Sequence, residues 1–245
     1  MTRREALTML PAAIAIRPGH AENQLEPLFA RTPSDGESKR IALTLDACGG
    51  GFDERITAAL VKHQVKATIF LTGRWIKSNK TGLGFLLDHP ELFSFENHGA
   101  KHVPAVLGTG KLYGMAVAGT IDAVRREVED GAKAIHDVTG TDTSWYRGAA
   151  ARYSQDAIKE ITRIGQRIGA YSLNADQGAS LPATVVAARM SKARDGDVLI
   201  GHINQPKRPA GAGIAAGIAA LKQTGFVFVT LNEMDPREVI TNRKI

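Results

Sequence analysis

The sequence contains very little cysteine, since Cys48 is the only one among 245 residues. A single thiol excludes an intrachain disulfide framework and any zinc site built from several cysteines. Long apolar runs are also missing, because no stretch approaches the roughly 20 apolar residues of a membrane-spanning helix. Lysine and arginine (31) outnumber acidic residues (25) without forming a cluster that could follow a phosphate backbone. We therefore expect neither a membrane span nor a nucleic-acid partner.

The chain does contain enough apolar residues to bury one sizeable core. Hydrophobic residues make up 43% of the sequence and charged residues 23%, a composition that argues against disorder. Barrel folds of this length are commonly a single domain. The formal net charge of +6 at pH 7 favours neither an acidic nor a neutral polymer as a partner.

Residues 1–24 have the layout of a secretory signal. Arg3 and Arg4 precede an apolar run from Ala6 to Ile16, and Gly19-His20-Ala21 then ends in a small residue. A basic start, an apolar segment and a small residue at the cleavage site are typical of exported proteins. The pattern predicts a periplasmic or secreted protein. The alternative is a cytoplasmic protein with an amphipathic N-terminus.

Beyond residue 39, short apolar segments alternate with longer amphipathic segments. The predicted strands are Arg40–Asp46, Ala67–Thr72, Phe93–Asn97, Trp145–Arg147, Ala170–Asn174, Asp197–His202 and Val227–Leu231. The predicted helices are Arg55–His63, Val117–Val138, Ser154–Ile168, Ala183–Ala193 and Gly213–Gln223, with Asp53 and Ser154 as helix starts. Such alternation indicates parallel strands with helices outside them, in an α/β barrel or a doubly wound sheet. Seven strands favour the barrel.

Polar side chains stand at the ends of five predicted strands. They are Asp46, Asn97 with His98, Arg147, Asp176 and His202, and His102 follows His98 by four residues. Reactive groups of parallel α/β folds gather at the carboxyl ends of the strands. One such histidine or carboxylate is more often structural, but five positions together indicate an active site.

His98 and His102 have the strongest individual pattern. A spacing of four residues puts both imidazoles on one side of a helical turn, close enough to bind one divalent ion. The alternative is a pair of unrelated loop histidines. Asp46 precedes Cys48 and three glycines, whose backbone can turn sharply beside a ligand. The alternative for Asp46 is a helix or turn cap.

Seven segments together resemble the polysaccharide deacetylase (NodB-like) domain. In chain order they are IALTLDACGG, ATIFLTG, ENHGAKH, WYRG, LNADQG, VLIGHINQP and GFVFVTLNEM. The resemblance covers residues 38–235 and implies a distorted (β/α) barrel of about seven strands, with a catalytic domain at residues 38–240. It also implies a metal-dependent hydrolase that removes acyl groups, acetyl above all, from a carbohydrate polymer or oligosaccharide. A cell-envelope polysaccharide is one candidate substrate.

The resemblance implies a role for six residues. Asp46 matches the general base, Arg147 the arginine that orients it, His202 the general acid, Asp176 the carboxylate that positions this acid, and His98 and His102 the metal ligands. The implied cofactor is a divalent metal, zinc first, with cobalt or manganese as alternatives. In such a site the carboxylate takes a proton from water and the histidine protonates the leaving group.

Ala47 departs from the family pattern, which has a second aspartate there as the carboxylate ligand of the metal. Three alternatives follow. Asp46 binds the metal itself, or Asp53 or Cys48 becomes the third ligand, with a thiolate favouring zinc. In the third alternative the protein is a catalytically weak or inactive glycan-binding relative. Cys48 as a nucleophile lacks a visible base and orienting partner, so a small residue in a tight turn is the simpler interpretation.

Overall fold

A computed structural model describes residues 24–32, 38–234 and 241–244. The predicted signal segment, residues 1–24, lies outside these ranges apart from its last residue and stays a prediction. Within the described ranges, no helix combines the length and the apolarity needed to cross a membrane.

Twelve strands and seven α-helices make up the described chain. The strands are β1 (Leu25–Leu28), β2 (Arg40–Ala47), β3 (Ala67–Leu71), β4 (Phe93–Asn97), β5 (Lys111–Leu112), β6 (Met115–Ala116), β7 (Trp145–Tyr146), β8 (Arg167–Ile168), β9 (Leu173–Asn174), β10 (Val198–His202), β11 (Val227–Val229) and β12 (Thr241–Lys244). The helices are α1 (Glu54–Lys62), α2 (Gly73–Ser78), α3 (Lys80–Leu87), α4 (Ile121–Thr139), α5 (Gln155–Arg163), α6 (Ala183–Met190) and α7 (Ala210–Gln223).

The central sheet consists of parallel strands. Its hydrogen-bonded order is β8-β7-β4-β3-β2-β10-β9, and β11 pairs with the first residues of β2. The end strands β8 and β9 follow each other in the chain and are joined by residues 169–172. The sheet therefore curls round into a distorted barrel. The predicted fold class, a distorted (β/α) barrel of about seven strands, is confirmed, and each of the seven predicted strands overlaps a strand of this sheet.

Strand β2, at the centre of the sheet, has two differently occupied faces. Every residue from Ile41 to Ala47 is buried, which explains the continuous apolar run in the sequence. Residues 41, 43, 45 and 47 pack in one core cluster with residues of α1 and α7, whereas Ala42 belongs to a second cluster. Because side chains alternate along a strand, Thr44 and Asp46 share the side of Ala42. We call this the inner side and the other the helix-facing side.

The structure corrects the end of one predicted helix and confirms two helix starts. The predicted helix Ser154–Ile168 is too long, because α5 ends at Arg163 and Gly165 then adopts a φ of +85°. The following residues form β8 instead of a helical turn. Asp53 and Ser154 are confirmed as the residues that precede α1 and α5, and the Asp53 side chain accepts the Arg55 N–H.

Several elements were not predicted. They are α2, α3, β1, β8, the hairpin of β5 and β6, and β12. β1 pairs antiparallel with β12, and the Leu25 N–H donates to the Tyr153 carbonyl, so this strand is tied to the barrel. Both strands lie outside the predicted catalytic domain of residues 38–240, whose bounds stay a prediction.

Candidate active site

Asp46 is the penultimate residue of β2, lies on the inner side and is held there by Arg147. The Arg147 guanidinium donates through Nη1 to Asp46 Oδ1 at 2.7 Å and to Thr44 Oγ1 at 2.9 Å. Its Nε donates to the Gly169 carbonyl at 2.6 Å, and its cation lies 4.1 Å from the ring centre of Phe70. Arg147 is fully buried, so the carboxylate has one fixed orientation.

Opposing influences act on the pKa of Asp46. Burial raises it, while the positive charges of Arg147, His98 and His202 lower it by more, so the pKa lies below its usual range. The group is therefore a carboxylate at neutral pH. Asp46 Oδ2 lies 3.6 Å from His98 Nε2, which places the unpaired side of the carboxylate toward the histidines.

His202 ends β10 directly beside Asp46 and is held by Asp176. The two strands pair in a register that sets His202 opposite Asp46. Asp176 is fully buried; its Oδ1 lies 2.9 Å from His202 Nδ1, and its Oδ2 accepts the His202 backbone N–H at 2.7 Å. Burial lowers the pKa of His202, but the Asp176 carboxylate and Cys48 more than offset this, so the pKa lies well above its usual range. This histidine carries a proton at neutral pH.

His98 and His102 come together through an irregular loop. Their ring centres are 4.8 Å apart. The predicted helical turn is wrong, because Gly99 and His102 adopt φ angles of +86° and +65°. His98 Nδ1 lies 2.6 Å from the Arg147 carbonyl and donates to it, so that Nε2 is directed toward Cys48 and Asp46. The i, i+4 spacing thus correctly indicated that the two histidines lie together, but the helical turn that it predicted between them is absent.

Glu127 of α4 shapes this loop, and sequence reasoning missed it. Its carboxylate accepts the backbone N–H groups of Lys101 at 2.9 Å and Val103 at 3.0 Å, on both sides of His102. The loop approaches so closely that a Cβ on Gly131 would lie 2.6 Å from the Gly99 carbonyl carbon. The available signal was an acidic residue on the buried stripe of an amphipathic helix, whose other members are Val124, Val128, Gly131 and Ile135.

Cys48 lies beside these histidines. Its Sγ is 3.3 Å from His98 Nε2, and the ligand atoms of Cys48, His98 and His102 all lie within 4.8 Å of one another. Burial raises the pKa of the thiol, but His98, His102 and His202 lower it by more, so it falls well below its usual range. Cys48 lies in the turn after β2, as the simpler interpretation has it, but it has the neighbouring partners that this interpretation lacked.

The donor set fits a divalent metal. One thiol and two imidazoles are ligands that zinc takes in proteins, and three protein ligands leave a coordination position open for catalysis. Asp53 contributes nothing to this group, because its carboxylate binds Arg55 through two contacts of 2.8 and 2.6 Å. The alternative in which Asp53 becomes a metal ligand is thus wrong.

All six predicted site residues meet at one open cavity of about 1440 Å³. Asp46, His102 and His202 line it together with Cys48, while the buried His98, Arg147 and Asp176 lie behind them. Pockets for small molecules usually measure about 300–1,000 Å³. The cavity is thus wide enough for a segment of an extended ligand.

Comparison with known proteins places this site in a family. The model of the polysaccharide deacetylase family matches residues 34–169, more than half of the chain. The chain belongs to the polysaccharide deacetylase family. The match includes Asp46, His98, His102 and Arg147, so the family relationship covers four of the six predicted site residues directly.

The individual proteins that resemble this chain are distant in sequence. YlxY of Bacillus subtilis, an uncharacterized protein, is 23% identical over 220 residues, which cover 88% of this chain and 62% of YlxY. The chain therefore spans less than two thirds of that relative. BA3943 of Bacillus anthracis, a CE4 family pseudoenzyme, has a TM-score of 0.67 at 21% identity and covers 83% of this chain and 69% of its own.

A second solved structure is Bc1960, a peptidoglycan N-acetylglucosamine deacetylase. It has a TM-score of 0.68 at 20% identity, over 84% of this chain and 91% of Bc1960. At such identities the likeness shows a shared fold. An enzyme and a pseudoenzyme thus share the barrel, and the side chains of the site have to carry any functional conclusion.

Proposed function

We propose that this chain is a metal-dependent hydrolase that removes acyl groups, acetyl above all, from a carbohydrate polymer or oligosaccharide. The observation that carries the proposal is the register of two neighbouring strands, which sets Asp46 and His202 side by side at one cavity. Each has a separate buried partner, Arg147 for the base and Asp176 for the acid. Acyl hydrolysis needs both a general base that takes a proton from water and a general acid that protonates the leaving group.

The two groups are in suitable protonation states at neutral pH. Asp46 is ionised and accepts a proton from the attacking water, and His202 is protonated and donates to the departing amine or alkoxide. His98 and His102 would hold a divalent ion, zinc first, with cobalt or manganese as alternatives. When bound, such an ion supplies Lewis acidity at the scissile carbonyl. Arg147 keeps the base oriented throughout, because it is fixed by its own hydrogen bonds.

Ala47 favours a second candidate function, a catalytically weak or inactive glycan-binding relative. The family's carboxylate ligand is missing at this position, and one protein of the same fold, BA3943, is a pseudoenzyme. In this case the cavity binds a glycan, and the affinity survives replacement of His202 by alanine. Calorimetry with acetylated oligosaccharides on the His202→Ala variant, together with acetate release by the unaltered protein, distinguishes the two candidates, because binding without acetate release in the unaltered protein supports the second.

Metal removal tests the enzyme proposal. We expect chelation to abolish acetate release from chitooligosaccharides, peptidoglycan fragments or acetylated xylan, and zinc to restore it. The reason is that the metal ion would stabilise the negative charge that develops on the scissile carbonyl, which His98 and His102 hold in place only through that ion. His98→Ala should prevent the restoration. His136→Ala is the matched control, since this exposed histidine lies outside the cavity. If zinc, cobalt and manganese all fail to give acetate release from any of the three substrates, the enzyme proposal is wrong.

Asp176→Asn is expected to shift the alkaline limb of the pH profile of kcat/KM to lower pH. Activity requires protonated His202 and falls as the pH rises through the pKa of this histidine. The Asp176 carboxylate raises that pKa, so an uncharged amide lowers it, and the falling limb moves with it. Asparagine retains an acceptor for the His202 backbone N–H. If the alkaline limb stays in place, a group other than His202 controls the loss of activity at high pH.

We also propose that the enzyme works in the periplasm or outside the cell, on a cell-envelope polysaccharide. The signal-like pattern of residues 1–24 supports this location, with the cytoplasm as the alternative. N-terminal sequencing of the protein from cell fractions tests it, because export and cleavage would place the first residue near position 22.

A further inference from the structure

The direction of side chains along β2 separates Ala47 from the site. Ala47 is fully buried on the helix-facing side, in the same core cluster as Leu45 and Leu71. Asp46 lies on the inner side. With a two-residue period, the position that follows Asp46 on the inner side is Cys48. Cys48, the first residue after the strand, can therefore present a ligand atom beside Asp46.

The thiol has the geometry of a metal ligand. Cys48 Sγ lies 3.3 Å from His98 Nε2, and it forms a group with His102 in which all ligand atoms are within 4.8 Å. Among the carboxylates, Asp53 is paired with Arg55, whereas Asp46 binds Arg147 through Oδ1 and directs Oδ2 toward His98.

The backbone of Cys48 is fixed from two sides. Thr72 Oγ1 donates to its carbonyl at 2.9 Å, and Arg74 Nε donates to the same oxygen at 2.6 Å. Thr72 also donates to the Ala47 carbonyl and caps α2. The turn after β2 is thereby anchored to the start of a helix, which keeps the thiol beside the histidines.

We propose that Cys48 is the third protein ligand of the metal and that it takes, one position later in the chain, the place of the carboxylate that Ala47 lacks. The proposal rests on the proposed function, since it concerns the same metal site. A thiolate with two imidazoles selects zinc or cobalt over magnesium and manganese, because soft sulfur ligands favour these metals.

Cobalt substitution tests this ligand without an activity assay. We expect the cobalt-loaded protein to show a sulfur-to-cobalt charge-transfer band that Cys48→Ser removes and the control His136→Ala retains. Zinc affinity of Cys48→Ser should fall by more than the roughly 10–100-fold that loss of an outer-sphere partner costs. Cys48→Asp should keep a metal site and accept manganese more readily, because a carboxylate is a harder ligand.

Thiol titration of the unaltered protein gives a second measurement that needs no variant. Cys48 is the only cysteine, so alkylation followed by mass spectrometry reports on this residue alone. Zinc should slow the alkylation strongly, and chelation should restore it. Stoichiometric cobalt binding without the charge-transfer band, with a thiol equally reactive in both forms, would overturn the proposal. So would an acetyl group found on Cys48 during turnover, since a nucleophile cannot remain a ligand.

The two proposals fail in distinguishable ways. Metal-dependent acetate release together with a free thiol would remove Cys48 from the ligand set and leave the hydrolase in place. A thiolate-bound ion in a protein that releases no acetate would leave the ligand set in place and support the glycan-binding alternative.

A different observation concerns the charge of the cavity wall. Four cationic side chains line it without a carboxylate in ion-pair distance among the described residues, namely Arg74, Arg189, Lys192 and Arg208. Both acidic residues of the wall are neutralised, Asp46 by Arg147 and Glu26 by Arg152. The cavity is thus positively charged, although the net charge of the whole chain gave no such indication. Charges of one sign that line a cleft concentrate ligands of the opposite sign.

From this charge pattern we infer that the cavity takes a glycan with anionic groups. The inference rests on the proposed function for its reaction, but binding tests it separately. Lys192→Glu with Arg208→Glu reverses two wall charges, and Lys77→Glu with Lys222→Glu makes the same change outside the cavity. Calorimetry then compares an acetylated oligosaccharide that contains uronic acids with a neutral one of equal length.

We expect the anionic oligosaccharide to bind more tightly than the neutral one, and the difference to shrink with added salt. Reversal in the cavity wall should remove this preference, and reversal outside should leave it. Equal affinity for the two oligosaccharides in the unaltered protein would overturn the inference, as would equal effects of the two double variants. Each result is independent of acetate release.

Discussion

Asp46→Asn is expected to lower kcat for acetate release by about 10²- to 10⁴-fold, the usual contribution of a general base. The amide cannot accept the proton of the attacking water, while its size and its hydrogen bond to Arg147 are retained. KM should change little, because the carboxylate acts on water and not on the sugar. Steady-state kinetics on an acetylated oligosaccharide measures both constants.

The control for this variant concerns the buried guanidinium. Asp46→Ala would leave fully buried Arg147 without its partner, at a cost of about 3–5 kcal/mol in unfolding free energy. Asparagine avoids most of this cost, and thermal unfolding of both variants verifies it. Asp156→Asn changes an exposed carboxylate outside the cavity and should leave kcat unchanged. If kcat of Asp46→Asn lies within a few-fold of that of the unaltered protein, Asp46 is not the general base.

His202→Ala is expected to lower kcat for amide substrates by about 10²- to 10⁴-fold, because an amine leaves poorly without a proton. The loss should be much smaller for an aryl acetate, since a phenolate departs without protonation. The ratio of the two losses therefore reports on proton donation and not on general damage to the site. Kinetics on an N-acetylated oligosaccharide and on an aryl acetate gives this ratio.

His136→Ala serves again as the control, because this histidine is paired with Asp142 on the surface. It should leave both substrates unaffected. Equal losses on the amide and the aryl ester in His202→Ala would contradict an acid role and indicate that the ring only shapes the cavity. Asp176 would then be a structural partner of a structural histidine.

The barrel could be predicted because buried parallel strands produce a recognisable sequence pattern. β2 is buried on both faces and appears as the apolar run Ile41–Leu45. Helices α2 and α3 lack such a pattern, since Gly73, Gly82 and Gly84 interrupt the apolar periodicity over short segments. β8 has two residues, and its pairing with β7 comes from the closure of the barrel and not from its own sequence.

The sequence indicated which residues form the candidate site, but it did not indicate the contacts that bring Cys48 and the two histidines together. Asp46 and His202 could be found because strand ends meet at one edge of a parallel sheet. The group of Cys48, His98 and His102 depends on a loop held by Glu127. Cys48 and His98 are 50 residues apart in the sequence, and Glu127 is 26 residues from Lys101, whose N–H it accepts. No local pattern contains such information, so the structure was needed to bring the thiol and the imidazoles together.

Convergence of these side chains on one metal ion is tested most directly by anomalous diffraction at the zinc absorption edge, from crystals soaked with zinc. We expect one strong peak among Cys48 Sγ and the imidazoles of His98 and His102, on the cavity side that Asp46 and His202 face. A peak elsewhere on the protein, or no peak in crystals whose site side chains are well ordered, would contradict the metal-dependent site.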